Sequence, residues 1–254
     1  MKYALVTGAT SGIGREVVLK LHSLGWYVGM IDLQAEQLEQ LQSELNNSRT
    51  WIKPVDVTED ETLNAAYAEF AEVSGQQLDL LFNSAGILSI GSFESIDLTR
   101  HHAILDINVK GVLNSCYAAF PYLKQTAGSH VVNMSSASAM YGVPKLASYS
   151  ASKFAVRGLT EGLDLEWEVH DIKVSDLMPP FVNTPMLSTQ QEGAPVLDRM
   201  GVDLEASDVA DALIELLNKP MTHKPVSWSF KLLYNLSSIT HPALNRLVMK
   251  FLSR

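Results

Sequence analysis

Short apolar segments alternate with longer segments of helical periodicity along most of the chain. Apolar side chains recur three or four residues apart in the longer segments, for example at Ile13, Val17, Leu21 and Leu24, which predicts helices with one buried face. The short segments are rich in β-branched and aromatic residues, which is typical of buried strands. Six strands are predicted, at residues 3–6, 27–31, 51–55, 78–82, 131–134 and 174–178.

The order of these elements predicts the fold class. Long helices are predicted over residues 102–125 and 150–169, and Thr58 precedes Glu61 by the spacing of a capping box at a helix start. Strands that alternate with helices favour a parallel sheet covered by helices on both faces. The sequence therefore predicts one α/β domain that spans residues 1–254.

Residues 183–204 are the loosest part of this pattern. Pro185, Gly193, Pro195 and Gly201 lie there among polar residues. A long loop inside a compact domain is frequently a functional lid, so we expect this segment to be a substrate loop.

Composition narrows the class of protein. The 254 residues carry a net charge of −9 and a single Cys, which excludes an internal disulfide framework and fits a reducing compartment. The acidity argues against nonspecific nucleic-acid binding, which needs Lys and Arg. No apolar run approaches the ~18 residues of a spanning helix, and the N-terminal residues meet a glycine loop too early for a signal peptide. We expect a cytoplasmic protein.

The charge is distributed unevenly. Glu215 is the last acidic residue, and the six basic residues after it carry +6 of the total of −9, which leaves −15 for the preceding residues. Residues 231–254 are predicted to be a basic amphipathic tail, from apolar residues spaced i, i+3, i+4 and i+7: Leu244, Leu247, Val248 and Phe251. Packing on its own subunit or on a partner, peripheral contact with an anionic membrane and delivery of an apolar substrate all remain open.

A glycine loop directly follows the first strand and precedes an amphipathic helix. Its sequence is TGATSGIG, with glycines at Gly8, Gly12 and Gly14. Glycines allow a tight turn and a close approach of the backbone, and the helix N-terminus presents amides and a positive dipole end to a phosphate. This arrangement is typical of a dinucleotide site, and it lets an acidic protein hold an anionic ligand.

Asp32 follows Gly14 at the end of the second predicted strand. A carboxylate there accepts hydrogen bonds from the ribose hydroxyls of NAD and repels the 2′-phosphate of NADP. The alternative is that Asp32 only caps the next helix. Ser11 and Leu33, where a basic residue could meet a 2′-phosphate, are uncharged, and Arg15 is expected to project from the helix surface. The sequence favours NAD.

Tyr149 and Lys153 are the candidates for proton transfer. They stand at i and i+4 of a predicted helix, so both side chains leave the same face. The Lys153 ammonium is predicted to lower the pKa of Tyr149 from about 10 toward neutrality, which makes Tyr149 a candidate acid/base. Ser136 follows the fifth strand, where its hydroxyl can hold the oxygen that Tyr149 protonates. The alternatives are an ordinary surface pair and, for Ser136 as for Ser135 and Ser138, a hydroxyl that only satisfies backbone groups.

With these residues assembled, the chain resembles the short-chain dehydrogenase/reductase family from residue 2 to about residue 186. TGATSGIG resembles the family's TGxxxGxG, the NSAG segment its NNAG, and YSASK its YxxxK. The resemblance implies a Rossmann-like, doubly wound parallel sheet and NAD as cofactor. It implies four catalytic residues, Asn108, Ser136, Tyr149 and Lys153. It implies a cofactor site formed by Gly8, Thr10, Ser11, Gly12, Ile13, Gly14, Asp32, Asp56, Val57, Asn83, Ala85, Gly86, Tyr149, Lys153, Pro179, Val182 and Thr184.

The resemblance also implies a role for each catalytic residue. Tyr149 takes the substrate's hydroxyl proton while hydride passes to the nicotinamide, and Lys153 lowers the pKa of Tyr149 and binds the nicotinamide ribose. Ser136 orients the substrate oxygen, and Asn108 anchors a water that relays protons from Lys153. From the residue alone, Asn108 is as well explained as a structural hydrogen bonder. Thr184 resembles the residue that holds the nicotinamide carboxamide.

The sequence departs from the family pattern at three places. Ser84 replaces the second Asn of NNAG, and Pro180 replaces the usual Gly of a PG motif, which removes an amide and fixes φ. The glycine-rich ending of many tetrameric members is absent, and Trp228, Ser229 and Phe230 take its place. A homo-oligomer is expected, with a dimer favoured and a tetramer left open.

These observations predict an NAD-dependent oxidoreductase that interconverts a secondary alcohol and a ketone. A lipophilic substrate is expected from the apolar tail and from four apolar residues near the cleft, Leu88, Val143, Met186 and Leu187. The alternatives are an NADPH-dependent carbonyl reductase and a non-catalytic NAD-binding sensor or scaffold. No metal site is expected, because no His pairs with another His or with Cys116 at zinc-like spacing.

Overall fold

The computed structural model describes residues 1–190, 193–237 and 250. The strands are β1 Tyr3–Thr7, β2 Tyr27–Asp32, β3 Thr50–Pro54, β4 Leu80–Asn83, β5 His130–Met134, β6 Lys173–Met178, β7 Val182–Asn183, β8 Leu204–Glu205 and β9 His223–Pro225. The helices are α1 Gly12–Ser23, α2 Ala35–Glu44, α3 Asp60–Ser74, α4 Leu98–Leu105, α5 Gly111–Leu123, α6 Ala147–Trp167, α7 Pro185–Ser188, α8 Pro195–Met200, α9 Ala206–Asn218 and α10 Trp228–Ser237.

Within the described residues, seven strands form one parallel sheet in the order β3-β2-β1-β4-β5-β6-β9. The chain builds outward from β1 to β3 and then returns to place β4 beside β1, with Ala4 opposite Leu80. Such a reversal opens a crevice beyond the carboxyl ends of the strands, where ligands bind in open α/β sheets. The predicted dinucleotide loop lies at this reversal.

Two apolar layers hold the helices against the sheet. Val17 of α1, Leu38 of α2 and Leu213 of α9 are buried on one face. Phe70 of α3 and Cys116 of α5 are buried on the other, together with residues of α6. The predicted doubly wound α/β fold with helices on both faces is therefore confirmed, and Cys116 is a small core residue.

The six predicted strands are all present within two residues of their predicted ends, but two helix predictions are wrong. Helix α3 begins at Asp60 rather than at Thr58, because the amide and hydroxyl of Thr58 donate to Asp56 Oδ1 at 2.9 and 2.8 Å. This local turn competes with the helix for the same donors. The helix predicted over residues 102–125 begins at Leu98 and is divided by a π-helical turn, Asp106–Lys110, between α4 and α5.

The segment 183–204 is more ordered than a plain loop. It contains α7 and α8, each of which begins with a proline at a first helical position, and β7 pairs with β8. Prolines suit that position because the missing N–H would have no partner in the helix. Beyond α9, strand β9 closes the edge of the sheet before α10 begins at Trp228.

Most of the predicted amphipathic tail lies outside the described residues, including its apolar positions Leu244, Leu247, Val248 and Phe251. Of that tail, the structure describes the end of α10 and residue 250. None of the described helices is long and apolar enough to cross a membrane.

Candidate active site

A cleft of about 330 Å³ lies along the carboxyl edge of the sheet, at the reversal between β1 and β4. The glycine loop, the ends of the central strands, the first turns of α6 and the segment around α7 form its walls. Most of the predicted site residues line it: Gly8, Ser11, Gly12, Ile13, Asp32, Asp56, Val57, Ala85, Gly86, Ser136, Tyr149, Lys153, Pro179, Val182 and Thr184. Thr10, Gly14, Asn83 and Asn108 are not among the lining residues.

The glycine loop has the geometry of an anion cradle. Gly8 and Gly12 adopt φ of 66° and 49°, a left-handed conformation that glycine tolerates. Gly14 serves packing, because a Cβ there would lie 2.0 Å from the carbonyl oxygen of Gly8. Ser11 is the N-cap of α1 and makes no side-chain cap bond, so the first-turn amides face the cleft without a side-chain acceptor. These residues fit the phosphates of a dinucleotide.

Asp32 is fixed at the cleft by four hydrogen bonds. Its Oδ2 accepts from the amide and hydroxyl of Thr10 at 3.1 and 2.8 Å, and its Oδ1 accepts from the amides of Leu33 at 2.8 Å and Gln34 at 3.3 Å. Helix α2 has Gln34, not Asp32, as its N-cap residue. Thr10 thus acts on the cleft indirectly, by orienting Asp32.

Arg15, a basic residue near the start of α1, pairs with glutamates rather than with Asp32. Arg15 Nη2 lies 2.7 Å from Glu44 Oε2, and Nη1 lies 3.5 Å from Glu16 Oε1, so its guanidinium is paired on the helix surface as expected. Ser11, Leu33 and Gln34 are the uncharged cleft residues nearby.

Ser136, Tyr149 and Lys153 come together on one wall. Ser136 Oγ accepts from the Ser138 amide at 3.1 Å and makes a hydrogen bond with the Tyr149 hydroxyl. The Lys153 ammonium donates to the Met134 carbonyl at 2.7 Å and lies 5.4 Å from the centre of the Tyr149 ring. The Ser-Tyr-Lys constellation, predicted from two separate segments, is therefore assembled.

The lowered pKa predicted for Tyr149 is wrong for this arrangement. Burial raises the pKa of Tyr149 to about 12, and the hydrogen bond from Ser136 opposes that rise only in part. Burial also lowers the pKa of Lys153 to about 8, and the negative charge of Asp176 opposes that fall. Desolvation is the larger cause at both residues, because burial penalises the phenolate of Tyr149 and the ammonium of Lys153 alike.

Asn108 occupies the π-helical turn, but its side chain is used structurally. Its Oδ1 accepts from the Ile87 amide at 2.8 Å, and its Nδ2 donates to the Ile87 carbonyl at 3.0 Å and to Ser152 Oγ at 3.1 Å. These bonds tie the turn to the loop after β4 and to α6. The implied role of Asn108 in a proton relay stays a prediction.

The side chain of Asn83 points away from the cleft, and the implied part of Asn83 in the cofactor site stays a prediction. Asn83 Nδ2 donates to Asn133 Oδ1 at 2.9 Å, and its Oδ1 accepts from the Ser115 hydroxyl. Successive strand residues alternate between faces, and this position faces α5. The neighbouring Ser84 and Ala85 present their amides to Thr7 Oγ1 at 3.2 and 3.3 Å.

Pro180 does not divert the chain from the cofactor loop. The carbonyl of Pro179 accepts from the Ala137 amide at 2.9 Å, and Pro180 itself lines the cleft. Thr184 then packs beside the glycine loop, since its Cγ2 lies 3.3 Å from where a Cβ on Gly12 would be. Thr184 therefore lines the cleft beside the glycine loop, and its implied contact with the nicotinamide carboxamide stays a prediction.

An apolar wall adjoins Tyr149. Leu88, Leu146, Phe181, Met186 and Leu187 line the cleft there, and Val143 is buried in the same cluster. Sequence reasoning missed Leu146 and Phe181, because apolar residues next to a catalytic motif carry no chemical signal of their own. No group of His, Cys, Asp or Glu suited to a metal ion is found among the residues that the structure describes.

Comparisons with known proteins agree with this geometry. Residues 2–195 match the family model described as short chain dehydrogenase. An uncharacterized oxidoreductase of Staphylococcus aureus (strain USA300) is 30% identical over 219 residues, which cover 86% of this chain and 92% of that protein.

Two solved structures share the fold. A 3-ketoacyl-(acyl-carrier-protein) reductase from Brucella melitensis, complexed with NADH, is 25% identical with a TM-score of 0.80 and covers 89% of this chain and 96% of its own. An alcohol dehydrogenase from Thermococcus sibiricus, complexed with 5-hydroxy-NADP, is 23% identical with a TM-score of 0.78 and covers 89% and 94%. Together with the assembled site, these matches show that the chain belongs to the short-chain dehydrogenase family of oxidoreductases.

Proposed function

We propose that this protein is an NAD-dependent oxidoreductase that interconverts a secondary alcohol and a ketone on an apolar substrate. The observation that carries the proposal is one cleft in which Tyr149, Ser136 and Lys153 face the glycine loop and Asp32. A non-catalytic NAD sensor would have no use for a hydrogen-bonded Ser–Tyr pair beside a buried lysine.

The proposed chemistry divides between proton and hydride transfer. A bound nicotinamide would supply the two-electron acceptor for the hydride that leaves the carbinol carbon. The Tyr149 oxygen takes the hydroxyl proton of the alcohol, or returns it to the ketone oxygen in the reverse direction. Ser136 holds that same oxygen. The Lys153 ammonium, 5.4 Å from the centre of the Tyr149 ring, would stabilise the phenolate once it forms and bind a ribose hydroxyl.

Asp32 supports NAD over NADP. Its carboxylate is held at the cleft by Thr10 and by two amides, and the cleft residues beside it are uncharged. A 2′-phosphate placed there would meet a fixed negative charge, and none of the cleft residues described beside Asp32 is a cation that could offset it.

Calorimetric titration with both dinucleotides tests this preference. We expect NAD to bind at least about tenfold more tightly than NADP, and Asp32→Asn to narrow that ratio because it removes the charge and keeps the shape. Glu36→Gln removes an exposed acid from the first turn of α2 and is the matched control. Tighter binding of NADP by the unmodified protein would reject NAD as the cofactor.

The wall around Leu146 and Phe181 supports an apolar substrate. It adjoins the Tyr149 hydroxyl, and it continues into a buried cluster with Leu88, Ile90 and Val143. Apolar substituents on the reacting carbon would bury surface there, whereas a charged substituent would have no partner among those side chains.

A second copy of this chain is the proposed partner. Leu113 and Tyr117 of α5, at i and i+4, expose 47% and 79% of their surface, and Phe154 and Leu165 of α6 expose 44% and 75%. An exposed apolar stripe on two helices suits a self-complementary contact between two copies. We also propose a cytoplasmic location, which agrees with a single, buried and unpaired cysteine.

A further inference from the structure

One polar residue from each of four neighbouring strands forms a row across the sheet, close to the carboxyl ends of the strands that border the cleft. Asn83 of β4 lies opposite Asn133 of β5, Asn133 lies opposite Asp176 of β6, and Asp176 lies opposite His223 of β9. Paired residues in a parallel sheet share a face, and here that face is covered by α5 and α6. Asp176 is wholly buried in this row, at 0% exposure.

Asp176 has one partnered and one unpartnered oxygen. Its Oδ1 lies 3.0 Å from His223 Nδ1, and its Oδ2 is buried without a hydrogen-bond partner among the residues that the structure describes. An incompletely satisfied carboxylate is costly to bury, so its charge acts strongly on neighbouring ionisable groups. The active-site mechanism described above makes no use of it.

His223 links this buried acid to the surface. Its Nε2 lies 2.9 Å from Glu161 Oε1, whose side chain is half exposed. Burial lowers the pKa of His223, but its bonds to Asp176 and Glu161 outweigh burial and raise the pKa above its ordinary value. The imidazolium is therefore favoured between two carboxylates.

Lys153 lies above the same part of the sheet. Its ammonium binds the carbonyl of Met134, and Met134 is opposite Leu177, the residue after Asp176. The strand spacing and rise place the Cα atoms of Asp176 and Met134 about 6 Å apart. In agreement, the charge of Asp176 raises the pKa of Lys153 against the larger effect of burial.

The other charged groups that the structure describes near Asp176 each have partners of their own. On α6, Arg157 Nε donates to Glu161 at 3.0 Å, and its guanidinium lies 5.7 Å from the Tyr234 ring of α10. Burial raises the pKa of Asp176; His223 and Arg157 oppose that rise, whereas Glu161 adds to it. Asp164, further along α6, is bonded to the Val174 amide and the Thr222 hydroxyl.

We propose that Asp176 and His223 are positioning residues of the reaction: Asp176 supplies a buried negative charge that holds Lys153 as an ammonium, and His223 keeps Asp176 ionised. The proposal rests on the proposed function, in which the Lys153 ammonium stabilises the phenolate of Tyr149. Loss of either residue lowers the pH above which Lys153 is neutral, so ketone reduction declines at a lower pH.

The test is an NMR titration of lysines labelled with ¹³C at Cε, with the Lys153 resonance assigned from its loss in Lys153→Arg. In Asp176→Asn we expect the midpoint of Lys153 to fall by about one pH unit, because the buried charge that raises the pKa of Lys153 is removed. In His223→Gln the midpoint falls in the same direction by less. Glu166→Gln, which removes an exposed acid elsewhere on α6, leaves the midpoint unchanged.

Thermal unfolding shows which variants are folded, and His223→Gln decides the question if Asp176→Asn does not fold. An unchanged Lys153 midpoint in the folded variants overturns the proposal, whether or not the enzyme turns over. The pH profile of ketone reduction is the second readout, and its alkaline limb moves with the Lys153 midpoint. A limb that stays in place while the midpoint moves rejects the catalytic role of the pair. Failure of the proposed function itself appears separately, as absence of turnover in the unmodified protein.

Discussion

Tyr149 is held protonated at neutral pH in the arrangement described here. Burial raises the pKa of its hydroxyl to about 12, while the hydrogen bond with Ser136 favours the phenolate. A protonated tyrosine is ready to donate to a ketone, whereas alcohol oxidation first requires the phenolate. Ser136 therefore contributes to the charge state of Tyr149 as well as to the orientation of the substrate.

Replacing Ser136 by Ala should slow turnover by about 10²-fold, the lower range for a group that assists proton transfer. The pH profile of alcohol oxidation should also move to higher pH, because the group that lowers the pKa of Tyr149 is lost. Steady-state rates between pH 6 and 10 measure both effects. Ser138→Ala is the control, since it keeps the backbone amide that bonds Ser136 Oγ. Equal activity of the two variants would remove Ser136 from the proton-transfer step.

The glycine loop works as an element only because α1 packs closely against it. A Cβ at Gly14 would lie 2.0 Å from the Gly8 carbonyl oxygen and 2.8 Å from its carbon, so the helix would have to move away from the strand end. The first-turn amides of α1 would then leave the position where they face the cleft. Stability and cofactor binding are thus coupled at this residue.

Gly14→Ala should lower the free energy of unfolding by about 1–3 kcal/mol, the cost of overpacking a close contact. Urea denaturation measures that loss, and calorimetry should show weaker NAD binding in the folded variant. Gly142→Ala is the control, because nothing lies within 4 Å of a Cβ there and its φ is not left-handed. That control should change stability by no more than about 1 kcal/mol. Equal stability of Gly14→Ala and the control would contradict the packing argument.

At the level of elements, the pattern of apolar residues predicted the strands, and the spacing of the glycines predicted the glycine loop. Strands β1, β2, β4, β5 and β6 are largely buried on both faces and stand out as apolar runs. The Tyr149–Lys153 spacing follows from helix geometry alone. The π-helical turn, the inward direction of Asn83 and the pair of Asp176 with His223 were not predictable. They depend on which distant segments the fold brings together. Asp176 and His223, for example, are 47 positions apart in the sequence.

At the scale of the whole molecule, the charge split seen in the sequence separates two regions. In the proposed function, the acidic body binds the anionic cofactor through backbone amides and needs no basic patch. The basic tail begins within α10, the helix whose Phe230 packs on Ala139 and on Met178 at the end of β6. The rest of the tail prediction, including contact with a membrane or a partner, stays a prediction.

The proposed assembly makes a direct prediction at this scale. Light scattering during size exclusion should give the mass of two chains, and Tyr117→Glu should give one, because a charge would be buried in the contact between α5 helices. Leu24→Glu changes another exposed apolar residue, at the end of α1, and should leave the dimer intact. A Tyr117→Glu variant that remains a dimer would exclude this face.

The central claim is that Tyr149 performs NAD-linked chemistry on an apolar secondary alcohol. The measurement follows the absorbance of NADH formed from NAD and a series of secondary alcohols of graded size. It compares the unmodified protein with Tyr149→Phe, and calorimetry measures the NAD affinity of both. We predict that turnover by the unmodified protein increases as the apolar substituents of the alcohol lengthen, and that Tyr149→Phe has lost turnover. The NAD affinities of the two proteins should agree within about twofold, because the phenyl ring keeps the cleft wall in place and only the hydroxyl is removed. Turnover retained in Tyr149→Phe would contradict the account.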